Sequence, residues 1–351
     1  MIKNLFILLF CGVLSFLALG QENEELLAQK KEDAKLANQM YNQSIELYET
    51  NNLIEAVAAL NKAIKLRPEF AQAYYNRSRI QLEIGEFDES IKDINKAIEL
   101  QANAQYYSMR GFIYLKNNEL KKAYDDLTLA INSDQNYAEA YYYRACVLAE
   151  QTKYPAAIHD LDQAIAIQPD FAIAYNERGC IRYETDALDM AKNDLNKAIT
   201  FDQTLAEGYN NLGKVNQKMG DLKTAEEYFT AALKIDTEFA EAYLNRGIIK
   251  YEKGEFEEAI EDFSQALEIQ PNYAEVFNNR GNAKYMTGDL PGAIVDYSDA
   301  IALNQNFADA WKNRGIVKEM QRDTKGACAD WQKASELGSL EATKYIQKQC
   351  Q

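Results

Sequence analysis

Alanine returns along this chain at nearly constant intervals. Ala37, Ala71, Ala104, Ala138, Ala172, Ala206, Ala240, Ala274 and Ala308 are 34 residues apart at every step except the second, which is 33. A second register, Ala63, Ala97, Ala130, Ala164, Ala198, Ala232, Ala266, Ala300 and Ala334, keeps the same spacing. A period of this size implies like modules, each too small to bury its own apolar face and stable only by leaning on its neighbours. Length alone, 351 residues, points to two or three ordinary domains. The period instead predicts a single stack.

Each repeat reads as two helices. From Ala240 the chain runs with helical periodicity, with Tyr243, Gly247, Ile248 and Tyr251 recurring on shared faces, until Gly254. A second helix is predicted from Phe256 to Ile269, with Ala259, Phe263, Ala266 and Leu267 on one stripe and Pro271 ending it. Pro155 and Pro291 fall in the first turn of second helices, where a missing N–H is harmless. Small residues recur where the two helices must cross, at Gly111, Ala145, Gly179, Gly213, Gly247, Gly281 and Gly315, with Ser44 and Ser78 in the first two copies. Aromatics recur at Tyr74, Tyr107, Tyr141, Tyr175, Tyr209, Tyr243, Phe277 and Trp311, a spacing expected to fill the space between neighbouring copies.

In these elements the chain resembles the tetratricopeptide-repeat family over residues 37–341, in nine tandem copies. The resemblance implies an all-α, right-handed α-solenoid of helix-turn-helix repeats with a capping helix at 342–351. It also implies a non-enzymatic scaffold that holds a peptide or partner segment along a concave wall of first helices. Projecting to that wall are Tyr41, Tyr75, Arg79, Phe112, Tyr142, Cys146, Cys180, Tyr183, Asn210, Lys214, Tyr251, Asn278, Asn282 and Tyr285. Some family members grip a C-terminal carboxylate with Lys and Asn from successive repeats. Here Lys214 is followed by Ile248 and Asn282, and Lys312 has no two repeats after it, so no such clamp is expected.

The copies can be compared with one another. Arg77, Arg110, Arg144, Arg178, Arg246, Arg280 and Arg314 are each followed sixteen residues later by an Asp, at positions 93, 126, 160, 194, 262, 296 and 330. The other two copies lose both partners together, as Gln43 with Ala59 and Leu212 with Tyr228. Joint loss predicts a partly buried ion pair between the two helices of one repeat.

Other features bound the function. A net charge of −16 disfavours nucleic acid, which needs a basic face. The lone His159 disfavours zinc and His-based acid–base chemistry. There is no GxGxxG, P-loop, HExxH or GxSxG motif, and no small-molecule substrate, cofactor or metal is expected. The acceptor patterns Asn42-Gln43-Ser44 and Asn76-Arg77-Ser78 lie inside predicted helices and are read as fortuitous.

The first twenty residues carry one Lys, an apolar run from Leu5 to Leu19 and a small-residue end at Gly20. At about 22 Å the run is short for a membrane span of about 30 Å, so it is read as a cleaved export signal, the alternative being an uncleaved membrane anchor. Export to the periplasm or medium of a bacterium follows, with 21–36 as a charged arm and no membrane span left after cleavage. The alternative function is a structural part of an envelope assembly, docking by its convex face or this arm. Cys146 and Cys180 occupy equivalent places in adjacent copies, too far apart for a bridge, and are expected as thiols. The closing segment looks like the terminal cap of exported bacterial repeat proteins; if it folds back, Cys328 and Cys350 would close a bridge.

Overall fold

The computed structural model describes the backbone of residues 2–350 and the side chains of residues 24 and 26–350. The expected export signal, 1–20, lies outside the described side chains. Among the described residues there are nineteen α-helices and no strand, and no helix is long and apolar enough to cross a membrane.

The chain falls into two compact units, Met1–Pro169 and Asp170–Gln351. A solenoid allows this division because each repeat touches only its neighbours and no global core ties the ends together. The first unit contains α1 (Ile2–Glu49), α2 (Leu53–Leu66), α3 (Ala71–Glu83), α4 (Phe87–Leu100), α5 (Ala104–Lys116), α6 (Leu120–Ser133), α7 (Ala138–Glu150) and α8 (Tyr154–Ile167). The second contains α9 (Ala172–Glu184), α10 (Leu188–Phe201), α11 (Ala206–Lys218), α12 (Leu222–Ile235), α13 (Ala240–Glu252), α14 (Phe256–Ile269), α15 (Ala274–Thr287), α16 (Leu290–Leu303), α17 (Ala308–Met320), α18 (Thr324–Glu336) and α19 (Leu340–Gln349). Each unit is a solenoid in which α-helical pairs pack on one another, first helices side by side and second helices behind them. The arm at 21–36 runs without a break into the first repeat as part of α1.

The turn within each repeat needs one residue at positive φ. Gly254 (φ 82°) and Gly288 (φ 88°) fill that place easily, whereas Thr152 (φ 56°) and Arg322 (φ 65°) hold the same turn against their own preference. The helix crossings are as close as the small residues imply. A Cβ on Gly247 would lie 2.6 Å from Phe263 Cε1, and one on Gly213 would lie 2.4 Å from Phe229 Cε1. Ser78 is accommodated differently: its Oγ and that of Ser90, which replaces alanine on the facing helix, each donate at 2.8 Å to the other's carbonyl oxygen. Ser44 and Ser78 are buried, so both acceptor patterns have their hydroxyl inside the fold.

All seven Arg–Asp pairs form within a repeat. Arg77 donates from Nε and Nη2 to Asp93 at 2.6 and 2.6 Å, and Arg314 does the same to Asp330 at 2.8 and 2.8 Å. Each guanidinium also lies over the recurring aromatic three residues before it, from Arg77 on Tyr74 at 5.5 Å to Arg314 on Trp311 at 4.8 Å. Where the pair is lost, Tyr228 stands at the Asp position and its ring packs 6.5 Å from Tyr209, covering the aromatic that an Arg covers elsewhere. The aromatic stripe therefore packs between helices and supports the ion pair.

At the C-terminus, α19 folds back on α18. Trp331 stacks on Tyr345 at 5.1 Å, and Cys328 and Cys350 form a disulfide with their Cα atoms 5.7 Å apart.

Candidate functional site

The first helices α3, α5 and α7 present one face whose composition changes from helix to helix. Four residues after Ala37, Ala71, Ala104 and Ala138 stand Tyr41, Tyr75, Ser108 and Tyr142. Tyr41 packs 5.0 Å from the Phe70 ring, and its hydroxyl accepts from Asn76 Nδ2 at 2.9 Å. Tyr75 is buried, with its hydroxyl accepting from Gln105 Nε2 at 3.3 Å. Its ring is stacked at 5.1 Å on Tyr106. Tyr106 occupies a place held by Ala73 and Ala140 in neighbouring repeats, follows the one-residue deletion, and turns its hydroxyl back to Gln72 Oε1 at 3.0 Å. Ser108 has no ring and is itself buried.

A cavity of about 680 Å³ lies on the first-helix face of the first unit. Tyr75, Arg79 and Phe112, all expected from the sequence, line it together with Tyr48, Glu83, Gln105, Ser108, Lys116, Tyr137, Glu139 and Tyr143. The Phe112 and Tyr143 rings lie 4.7 Å apart, and Lys116 Nζ sits 5.5 Å over Phe112. The Arg79 guanidinium lies 5.7 Å over Tyr48 and 5.9 Å over Tyr75. Burial pushes the phenols of Tyr75, Tyr137 and Tyr143 above the usual tyrosine range, so they act as neutral donors and acceptors. The Tyr48 phenol is raised first by burial and next by the neighbouring Glu83 carboxylate.

In the second unit most of the expected residues are already engaged. Asn210 accepts from Asn245 Nδ2 at 3.0 Å and donates to Glu241 at 3.4 Å. Lys214 Nζ is 3.3 Å from Glu241 and, with Lys218, faces the Tyr183 ring at 5.8 and 4.7 Å. Asn278 and Asn282 both accept from Asn313 Nδ2, at 3.1 and 3.0 Å. Cys180 accepts from Asn211 Nδ2 at 3.1 Å, and burial pushes its thiol up to about 12. These amides form a ladder between neighbouring first helices. A smaller cavity of about 400 Å³ gathers Tyr251, Asn278, Asn282 and Tyr285. In the first unit, Tyr142 lies outside both cavities, its ring 5.2 Å from Tyr143, and Cys146 follows on the same helix. Lys312 is paired with Asp309 at 2.8 Å and Glu341 at 3.1 Å.

Tyr143, Ser108 and Glu139 were not expected at the site. The signal lay in the copies: Tyr143 replaces the Asn found at 76, 211, 245, 279 and 313, and Ser108 interrupts a run of tyrosines. Among the described residues no group of His, Cys, Asp and Glu is placed to hold a metal ion.

Models of the tetratricopeptide repeat match residues 41–108, 138–171 and 206–239, and a TPR-repeat model matches 249–288 and 281–321. No curated protein matches the sequence. Among solved structures, the chain is similar to the APC/C hetero-tetramer Cut9–Hcn1 with a TM-score of 0.64 and 18% identity, covering 79% of this chain and 55% of that one. It is similar to pilF of Pseudomonas aeruginosa with a TM-score of 0.55 and 20% identity, covering 63% of this chain and 97% of that one. A third is a tetratricopeptide repeat protein from Parabacteroides merdae ATCC 43184, with a TM-score of 0.53 and 17% identity, covering 71% of this chain and 99% of that one. The chain thus spans 55% of the first of these chains. At such identities the likeness is one of fold.

Proposed function

Because the chain belongs to the tetratricopeptide-repeat family, we propose that it is a protein-interaction scaffold, without catalytic activity, that holds a peptide or partner segment against its first helices. The observation that carries this reading is the aromatic cavity of about 680 Å³ around Tyr75, Arg79 and Phe112. Its size is that of a ligand pocket, and its aromatic and guanidinium lining is of the kind that dominates binding energy at interfaces. The partner is a protein segment and not a nucleic acid, in keeping with the net charge of −16. The scaffold works outside the cytoplasm, in the periplasm or medium. The apolar run Leu5–Leu19 supports that placement, as does the Cys328–Cys350 bridge, a bond that persists in oxidising compartments.

A second reading, docking into an envelope assembly through the second helices, is supported by exposed apolar side chains there, Ile54 at 67% and Val295 at 57% exposure. Crosslinking in the native cell separates the two. A Tyr75→Ala/Phe112→Ala variant is expected to lose the partner crosslinks of the wild type, and an Ile54→Asp/Val295→Asp variant to keep them. The reverse pattern would replace the first reading with the second, provided circular dichroism shows both variants folded.

A further inference from the structure

We propose that the first-unit cavity receives a tyrosine side chain flanked by a carboxylate on the partner polypeptide; this rests on the groove reading above and specifies its occupant. Ser108, which stands where Tyr75 and Tyr142 stand in the adjacent repeats, lines the cavity and brings no ring to it. Tyr106 does not fill it, since its hydroxyl is held back on Gln72. A guest ring entering beside Ser108 meets aromatic surface on Phe112 and Tyr143.

The polar end of the guest follows from the repeat. The hydroxyl of Tyr75 is met by Gln105, the second residue of the next first helix. The residue equivalent to Gln105 beside the gap is Glu139, which lines the cavity and has no hydrogen-bond donor among the described residues. Its counterpart in the second unit, Glu241, holds both Asn210 and Lys214. Ser108 and Phe112 take the places of those two donors beside Glu139. A phenol O–H supplies the donor that Glu139 lacks, which a phenylalanine cannot do.

The flanking carboxylate follows from charge. Arg79 and Lys116 line the same cavity as Glu83 and Glu139, and neither cation forms an ion pair among the described residues. Their cations lie over rings and leave N–H groups for an incoming carboxylate.

Calorimetric titration of the full chain with three blocked peptides tests this: Gly-Asp-Tyr-Asp-Gly, its Phe analogue, and its Asn-Tyr-Asn analogue. The first is expected to bind one to one, the Phe analogue at least about tenfold more weakly, and the Asn analogue weakly and with little salt dependence. Glu139→Ala should abolish the preference for Tyr over Phe, and Ser108→Tyr should block all three peptides. Should Ser108→Tyr fail to fold, the Tyr–Phe comparison and Glu139→Ala decide alone. Equal binding of the Tyr and Phe peptides, a preference that survives Glu139→Ala, or no binding of any peptide overturns the proposal. If the peptides fail while Tyr75→Ala/Phe112→Ala still abolishes partner crosslinks, only this occupant is wrong. If the crosslinks persist, the groove reading itself falls.

Discussion

Arg246 joins the first helix of its repeat to the second by two parallel hydrogen bonds to Asp262, Nε to Oδ2 at 2.9 Å and Nη2 to Oδ1 at 2.7 Å. The Tyr243 ring supports the guanidinium at 5.6 Å, and Lys250 Nζ approaches Asp262 Oδ2 at 2.8 Å. Asp262 is 3% exposed, so this is a buried carboxylate held by two cations.

Removing one side of such a buried pair leaves charge without compensation, which costs about 3–5 kcal/mol. Asp262→Ala is therefore expected to lower the urea midpoint far more than Glu257→Ala, whose side chain is exposed and whose loss costs about 0.5 kcal/mol or less. Equal shifts for the two variants would show that the pair contributes nothing.

Gly213 lies under Phe229 with no room for a methyl group. Gly213→Ala should destabilise by about 1–3 kcal/mol. The chain already uses an alanine opposite a leucine, Ala145 facing Leu161, so Phe229→Leu should recover part of the loss. A double-mutant cycle in denaturant measures the coupling, expected to be at least about 0.5 kcal/mol.

Thr152 holds a left-handed turn at φ 56°, a conformation that costs a β-branched residue about 1–2 kcal/mol. Thr152→Gly should raise the unfolding midpoint, whereas a glycine at most exposed positions lowers it or does nothing.

The Cys328–Cys350 bridge closes a sequence separation of 22 residues and pins α19 across Trp331. Cys350→Ser should remove about 3 kcal/mol from the cap. Trp331 emission is then expected to shift to the red at lower denaturant concentration than in the wild type. Thiol titration of the unfolded, unreduced protein lacking residues 1–20, and so lacking Cys11, should find the two thiols of Cys146 and Cys180.

Burial holds the Cys180 thiol protonated up to about pH 12, above the ordinary cysteine range, and Asn211 Nδ2 points at its sulfur. Since only the thiolate reacts, Cys180 should alkylate slowly at pH 8 in the folded protein and quickly once unfolded. Raising the pH from 8 to 9 should accelerate the native thiol about tenfold and an unfolded-state thiol, already partly ionised, only about threefold. Mass spectrometry of the labelled peptide gives both rates.

Comparing the nine copies made the helix pairs, their breaks and the Arg–Asp partners legible, because each is a relation inside one repeat at constant spacing. The same comparison was silent on what Asn210, Asn278 and Asn282 do, since their partners, Asn245 and Asn313, lie on the next first helix. Polar residues on one helical face read alike whether they wait for a ligand or bond to a neighbour. Tyr143 and Ser108 were visible as departures from the pattern, but the pattern does not say whether a departure is filled or left open.

What the sequence determined by itself was the architecture, an all-helical solenoid of two-helix repeats. Period, small crossing residues and turn positions all act over short distances along the chain and agree nine times over. What only the tertiary structure decided was which side of that architecture is open. Whether a ring at Tyr106 turns back to Gln72 or forward over Ser108 depends on the rotation of one helix against the next, which no one-dimensional spacing encodes.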